Sequence, residues 1–148
     1  MKPLSLLFPV LVVLTCGLIS VADAQTVTSQ DRDIGAVSAA GSASNNGSGG
    51  FTVRGSGEDI WGTADEFHYV YFQVTGDVEI IARVTGIDFT DGWAKAGLMA
   101  RASLDANSPN FMAFFTPAYY SGVQWRFRAG ETSSYVGGSP SSFLTGSN

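Results

Sequence analysis

The sequence predicts an all-β protein, an antiparallel β-sandwich, and three observations carry that prediction. Strand-like runs follow one another between Phe67 and Arg101: FHYVYFQV, then VEIIARVTGI, then AKAGLMAR. Apolar and polar residues alternate within these runs with a period of two, the signature of a half-buried strand. Glycine is frequent at 18 residues and charged residues make up 14% of the chain, so short runs are broken often by turn-forming residues.

The central stretch is the strongest evidence. Tyr, Val, Ile and Phe fit a pleated surface, and Thr75-Gly76-Asp77 supplies turn residues for a hairpin between the first two runs, with Gly76 able to take positive φ. In the second run Val78, Ile80, Ala82 and Val84 share one side, opposite Glu79, Ile81, Arg83 and Thr85. In the third, Ala94, Ala96, Leu98 and Ala100 alternate with Lys95, Gly97, Met99 and Arg101. Ala, Leu, Met and Lys would also suit a helix over 94–104. Gly97 weakens that alternative, and the alternation favours a strand.

The N-terminus carries an address. Met1-Lys2 opens it, Leu4 to Val21 is a nearly unbroken apolar run, and Ala22-Asp23-Ala24 is an A-x-A cleavage pattern. Residues 1–24 therefore read as a secretory signal peptide cut after Ala24, which places the mature chain outside the cell or in a periplasm, without a membrane span. The run is also long enough to read as a retained anchor. The single cysteine, Cys16, lies in this segment and follows Thr15, which fits a lipoprotein acylation site poorly. Cleavage after Ala24 leaves a domain without disulfides, held by sheet packing alone.

Residues 25–32 read as a flexible polar lead-in, and 33–130 as the sandwich domain. Asp33 to Asn46 suits a thin first strand or an edge strand, followed by the turn cluster Asn45-Asn46-Gly47-Ser48-Gly49-Gly50. Phe51 to Arg54 is a short strand. Asn110 to Thr116 is an apolar strand ended near Pro117. Val123 to Arg128 alternates cleanly, with Val123, Trp125 and Phe127 assigned to the core and Gln124, Arg126 and Arg128 to the wet side. Residues 131–148 are rich in Ser and Gly and read as a loose tail, with Tyr135, Val136, Phe143 and Leu144 as its apolar anchors. No internal repeat stands out.

Several blocks together resemble a known family: DIGAVSAAGSAS at 33–44, GSGEDIWGTADEFHYVY at 55–71, TGDVEIIARV at 75–84, DGWAKAGLMAR at 91–101 and FMAFFTP at 111–117. In order and spacing they are similar to a family of secreted bacterial β-sandwich domains in the concanavalin A-like lectin/glucanase superfamily, itself largely uncharacterised. The resemblance implies a jelly roll of two stacked antiparallel sheets and a carbohydrate-binding or cell-surface accessory role. Family members continue with further strands, so it also implies a jelly roll lacking its last strands here.

The net charge of −5 and a pI near 4.5 argue against phosphate backbones and anionic membrane surfaces as partners. Two sets of residues are candidates for glycan recognition. One is the polar side of the strands: Glu79, Arg83, Lys95, Arg101, Gln124 and Arg126, with Arg128, able to hydrogen-bond hydroxyls or carboxylates. Such a set is equally the solvated face of an antiparallel sheet. The other is aromatic: Trp61, Trp93, Tyr119 and Tyr120, in or beside loops, whose rings can stack on a pyranose or else lie over the end of the core.

Catalytic signals are thin. His68 is the one histidine and shares its side with Val70, Phe72 and Val74, so it reads as structural. No G-x-S-x-G elbow occurs. A glycoside hydrolase of glucanase type needs two carboxyl groups across a bond. Acid pairs exist at Glu58/Asp59, Asp65/Glu66, Asp77/Glu79 and Asp88/Asp91, and that reading would use a pair such as Glu79 with Asp65, but the E-x-D-x-x-E pattern of the superfamily's glucanases is missing. Asp88 to Asp91 is a calcium-capable loop with only two acids, a weak ligand set, and no other cofactor is indicated. The expectation is a non-catalytic, lectin-like module. The alternatives are the hydrolase and a structural or adhesion module, or a gene fragment, with no ligand.

Overall fold

The computed structural model describes residues 12–17 and 28–138. The Ala22–Ala24 cleavage pattern and the tail residues Phe143 and Leu144 lie outside them. Among the described residues the protein is all-β, and every strand pairing is antiparallel. Twelve strands follow in order: β1 (Val12–Gly17), β2 (Gln30–Ile34), β3 (Ser42–Asn45), β4 (Gly50–Arg54), β5 (Ile60–Trp61), β6 (Ala64–Asp65), β7 (Phe67–Tyr71), β8 (Ile81–Ile87), β9 (Ala96–Arg101), β10 (Asn110–Phe115), β11 (Ser121–Arg126) and β12 (Ser134–Gly138). No helix among them is long and apolar enough to cross a membrane.

Two four-stranded sheets dominate, ordered β3-β4-β1-β8 and β12-β11-β10-β9, with two-stranded pairs β2-β7 and β5-β6 beside them. The second sheet is a plain meander, built from neighbours in sequence. The first is not: β1, from inside the apolar N-terminal run, lies between β4 and β8. A cleft of about 1720 Å³ opens between the sheets, with Phe51, Val53, Ala82 and Leu98 in its wall.

The predicted strands over Phe51–Arg54, Ala94–Arg101 and Asn110–Thr116 form with small shifts of boundary. The stretch 94–104 is strand, not helix, and Gly97 is required there. A Cβ at Gly97 would overlap the carbonyl oxygen of Ala113 on β10, so only glycine lets the two backbones approach. In β8 the alternation holds: Ala82 and Val84 are half-buried and Ile81 and Arg83 exposed.

Three expectations are corrected. The predicted hairpin between the first two central runs does not form. Gly76 does take positive φ, 85°, but β7 pairs with β2 and β8 with β1. Turn chemistry permitted the hairpin, and pairing with distant strands won. The lead-in and the tail also contribute structure, since β2 begins at Gln30 and β12 spans Ser134–Gly138. Finally, the two sides of β11 are reversed. Gln124 and Arg126 are each 1% exposed, whereas Phe127 is 71% exposed and stacks on Trp125 at 5.9 Å.

Gly97→Ala should destabilise the chain by at least about 2 kcal/mol, because the added methyl meets backbone that cannot move aside. Chemical denaturation of the full chain checks this, and a loss under about 0.5 kcal/mol would contradict the close approach of β9 to β10.

Candidate functional site

The short β5-β6 hairpin lies over the inner face of the β9–β12 sheet, and a buried polar network holds it there. Asp65 is wholly buried. Its Oδ1 accepts a 2.8 Å bond from Arg126, and its Oδ2 accepts bonds from Arg126 at 3.1 Å, Asn110 at 3.1 Å and Arg101 at 3.3 Å. One carboxylate thus ties β6 to β9, β10 and β11. A fork of two parallel bonds to one guanidinium is the strong geometry for such a pair.

The hairpin's carbonyls are caught in the same way. Ile60 O accepts from Gln124 at 2.6 Å and from Lys95 at 2.9 Å, while Arg126 donates to Trp61 O and Gly62 O, both at 3.1 Å. Lys95 also pairs with Asp59 at 2.7 Å. Burial lowers the pKa of Arg101 from its ordinary value, an effect that the Asp65 charge opposes. Its guanidinium lies over the Phe67 ring at 5.3 Å.

This decides where the polar candidates sit. Lys95, Arg101, Gln124 and Arg126 are together, beneath the hairpin, bonded to the chain itself. Arg128 is at the surface with Glu131 at 3.1 Å. Glu79 and Arg83 are not with them: both are exposed on or just before β8, in the other sheet. Asp65 and Glu79 likewise belong to different parts of the fold.

The aromatic candidates do converge. Trp93 meets Tyr119 at 4.4 Å and Tyr120 at 5.4 Å between ring centroids. Tyr120 stacks on Tyr135 at 5.7 Å, and Tyr135 meets Trp61 edge-on at 5.5 Å. Trp61, Tyr135, Tyr120, Trp93 and Tyr119 therefore form one continuous row across the end of the β9–β12 sheet. Trp93, Tyr119 and Tyr135 are each about half exposed, at 49%, 51% and 51%. Lys95 Nζ lies 5.5 Å from the Trp61 ring centre, so the Asp59–Lys95 pair borders the row.

Each ring has a local cause for its place. Asp91 Oδ1 accepts the Trp93 backbone N–H at 2.7 Å, fixing that loop. Thr116 Oγ1 accepts the N–H groups of Tyr119 and Tyr120 at 3.1 and 2.9 Å, which shapes the β10–β11 turn after Pro117. Tyr135 opposes Gln124 in the β11-β12 register, which puts it on the hairpin's side of the sheet. Tyr135 was legible only as an anchor of a tail, since nothing local told that β12 would pair with β11.

His68 links β7 to β2. Its ring nitrogens lie 2.8 Å from Asp33 and 3.2 Å from Asp31 across the β2-β7 pair. Among the described residues no cluster of three or more His, Cys, Asp or Glu is placed to hold a metal, and in the calcium-capable loop Asp91 is engaged by Trp93. Comparison with family profiles, curated proteins and solved structures finds no match for this chain.

Two outcomes follow from this geometry. Asp65→Ala should cost about 3–5 kcal/mol, because it strands buried guanidinium charge. Thermal and denaturant unfolding of the full chain read the loss, and a near-neutral result would contradict the network. The pKa of Tyr120 is raised by desolvation, by Tyr135 and by Asp59, and that of Tyr69 by burial despite Arg101. The neutral phenol is thus the favoured folded form, so this stabilisation is complete below about pH 10 and lost as pH rises through the folded values. Spectrophotometric titration should find Tyr69 and Tyr120 ionising above the ordinary tyrosine value, and Tyr120→Phe should remove one of those late steps.

Proposed function

We infer that this chain is a secreted, non-catalytic β-sandwich module of jelly-roll type that binds carbohydrate along its aromatic row. The continuous row of five rings carries the reading. A pyranose presents an apolar C–H face, and half-exposed indole and phenol rings offer matching flat surfaces with polar edges. The rings lie 4.4–5.7 Å apart between neighbouring centroids, so the surface is extended and suits a linear glycan better than a single sugar.

The polar residues of the strands enter this reading as positioning groups. Lys95, Gln124 and Arg126 fix the hairpin that carries Trp61, and Asp59 is left at the edge of the row as a hydrogen-bond acceptor. Lys95 is paired with Asp59, and the chain is acidic overall, which favours uncharged glycans over acidic ones. The blocks that resemble lectin-like domains of the concanavalin A-like superfamily agree with this role.

The test is binding of the full chain to a panel of uncharged and acidic polysaccharides, by calorimetry and tryptophan fluorescence. Trp93→Ala and Tyr119→Ala should each weaken binding at least about tenfold, or 1.4 kcal/mol. Phe127→Ala, on the far face of the sheet, should leave it unchanged. Absence of binding to every glycan sinks the reading and favours an adhesion or structural module.

A further inference from the structure

The β3-β4-β1-β8 sheet contains a strand taken from the apolar leader. Val12 to Thr15 pair with Val53 to Gly50 on one side, and Val12 and Leu14 to Gly17 pair with residues of β8 on the other. β8 is the end strand, so among the described residues β1 is its ladder partner in that sheet. β4 would keep only β3. Removal of the leader after Ala24 takes β1 away and leaves two rows of backbone N–H and C=O groups facing each other across one strand's width. Such groups are a template for another chain.

We propose that the space between β4 and β8 is a strand-acceptor slot which, once the leader is removed, takes in an extended apolar segment of a partner polypeptide. The seated segment defines the fit: one strand of about six residues, antiparallel to both neighbours. The walls define its chemistry. Phe51 and Val53 of β4, Ile80 just before β8 and Ala82 of β8 line the same cleft, so every second side chain of an inserted strand turns into apolar surroundings. Backbone hydrogen bonds supply affinity, and the alternate apolar side chains supply selection. The leader then acts as a placeholder that keeps the slot closed until cleavage.

Hydrogen exchange on the full chain, made with its leader intact, tests this. Leu14→Pro removes a backbone donor from the middle of β1. Exchange at β4 and β8 amides should quicken at least about tenfold, while β10 and β11 stay protected. Adding a synthetic peptide of residues 11–18 should restore slow exchange at β4 and β8, and a scrambled peptide should not. The proposal is overturned if Leu14→Pro leaves β4 and β8 unchanged, if neither peptide restores protection, or if both do. A variant that forms dimers, closing the slot with a second copy, also overturns it. If Leu14→Pro exposes β10 and β11 as well, the double variant Val13→Gly/Leu14→Gly keeps every donor in place and is read by the same criteria.

Discussion

The buried carboxylate of Asp65 sets the arrangement around it. Taking a carboxylate and two guanidinium groups out of water is costly, and only close, forked hydrogen bonding offsets it. Arg126, Arg101 and Asn110 provide that bonding from three successive strands, and the β5-β6 hairpin is pinned where they meet. With its carbonyls held by Lys95, Gln124 and Arg126, the hairpin has one position on the sheet. Arg101, Asn110, Gln124 and Arg126 can stand on the inner face of β9–β11, beside the apolar core residues Met112 and Phe114, because they receive a strand pair and do not meet solvent.

The aromatic row follows from that placement. Trp61 rides on the pinned hairpin, Tyr135 on β12, Tyr120 and Tyr119 on the β10–β11 turn, and Trp93 on the loop before β9. Rings from four separate stretches meet because the elements beneath them are fixed. Offset and edge-on contacts between rings add about 0.5–1.5 kcal/mol each beyond the area they bury.

Fold class and strand positions were legible because they rest on local signals. β4, β9 and β10 could be read from β-branched and aromatic runs bounded by turn residues. The four loop aromatics could be singled out because large rings beside turns stand out from polar surroundings. The inner side of β11 could not be read. Alternation of Val123, Trp125 and Phe127 with Gln124 and Arg126 says that the strand has two different faces, and hydrophobicity alone names the wrong one as buried. The hairpin that covers Gln124 and Arg126 comes from some sixty residues earlier, beyond the reach of any local pattern.

The sequence by itself determined an antiparallel all-β chain, the positive φ of Gly76 and the large aromatic residues that stand beside turns. These depend on φ preference, side-chain shape and period two, all properties of neighbouring residues. Tertiary structure alone decided which strands pair, that β7 joins β2 and β8 joins β1, that the polar strand residues hold a hairpin, and that Tyr135 completes the aromatic row. Those choices are settled by competition among distant backbone edges and by the cost of leaving buried charge unpaired, and both are sums over the whole fold.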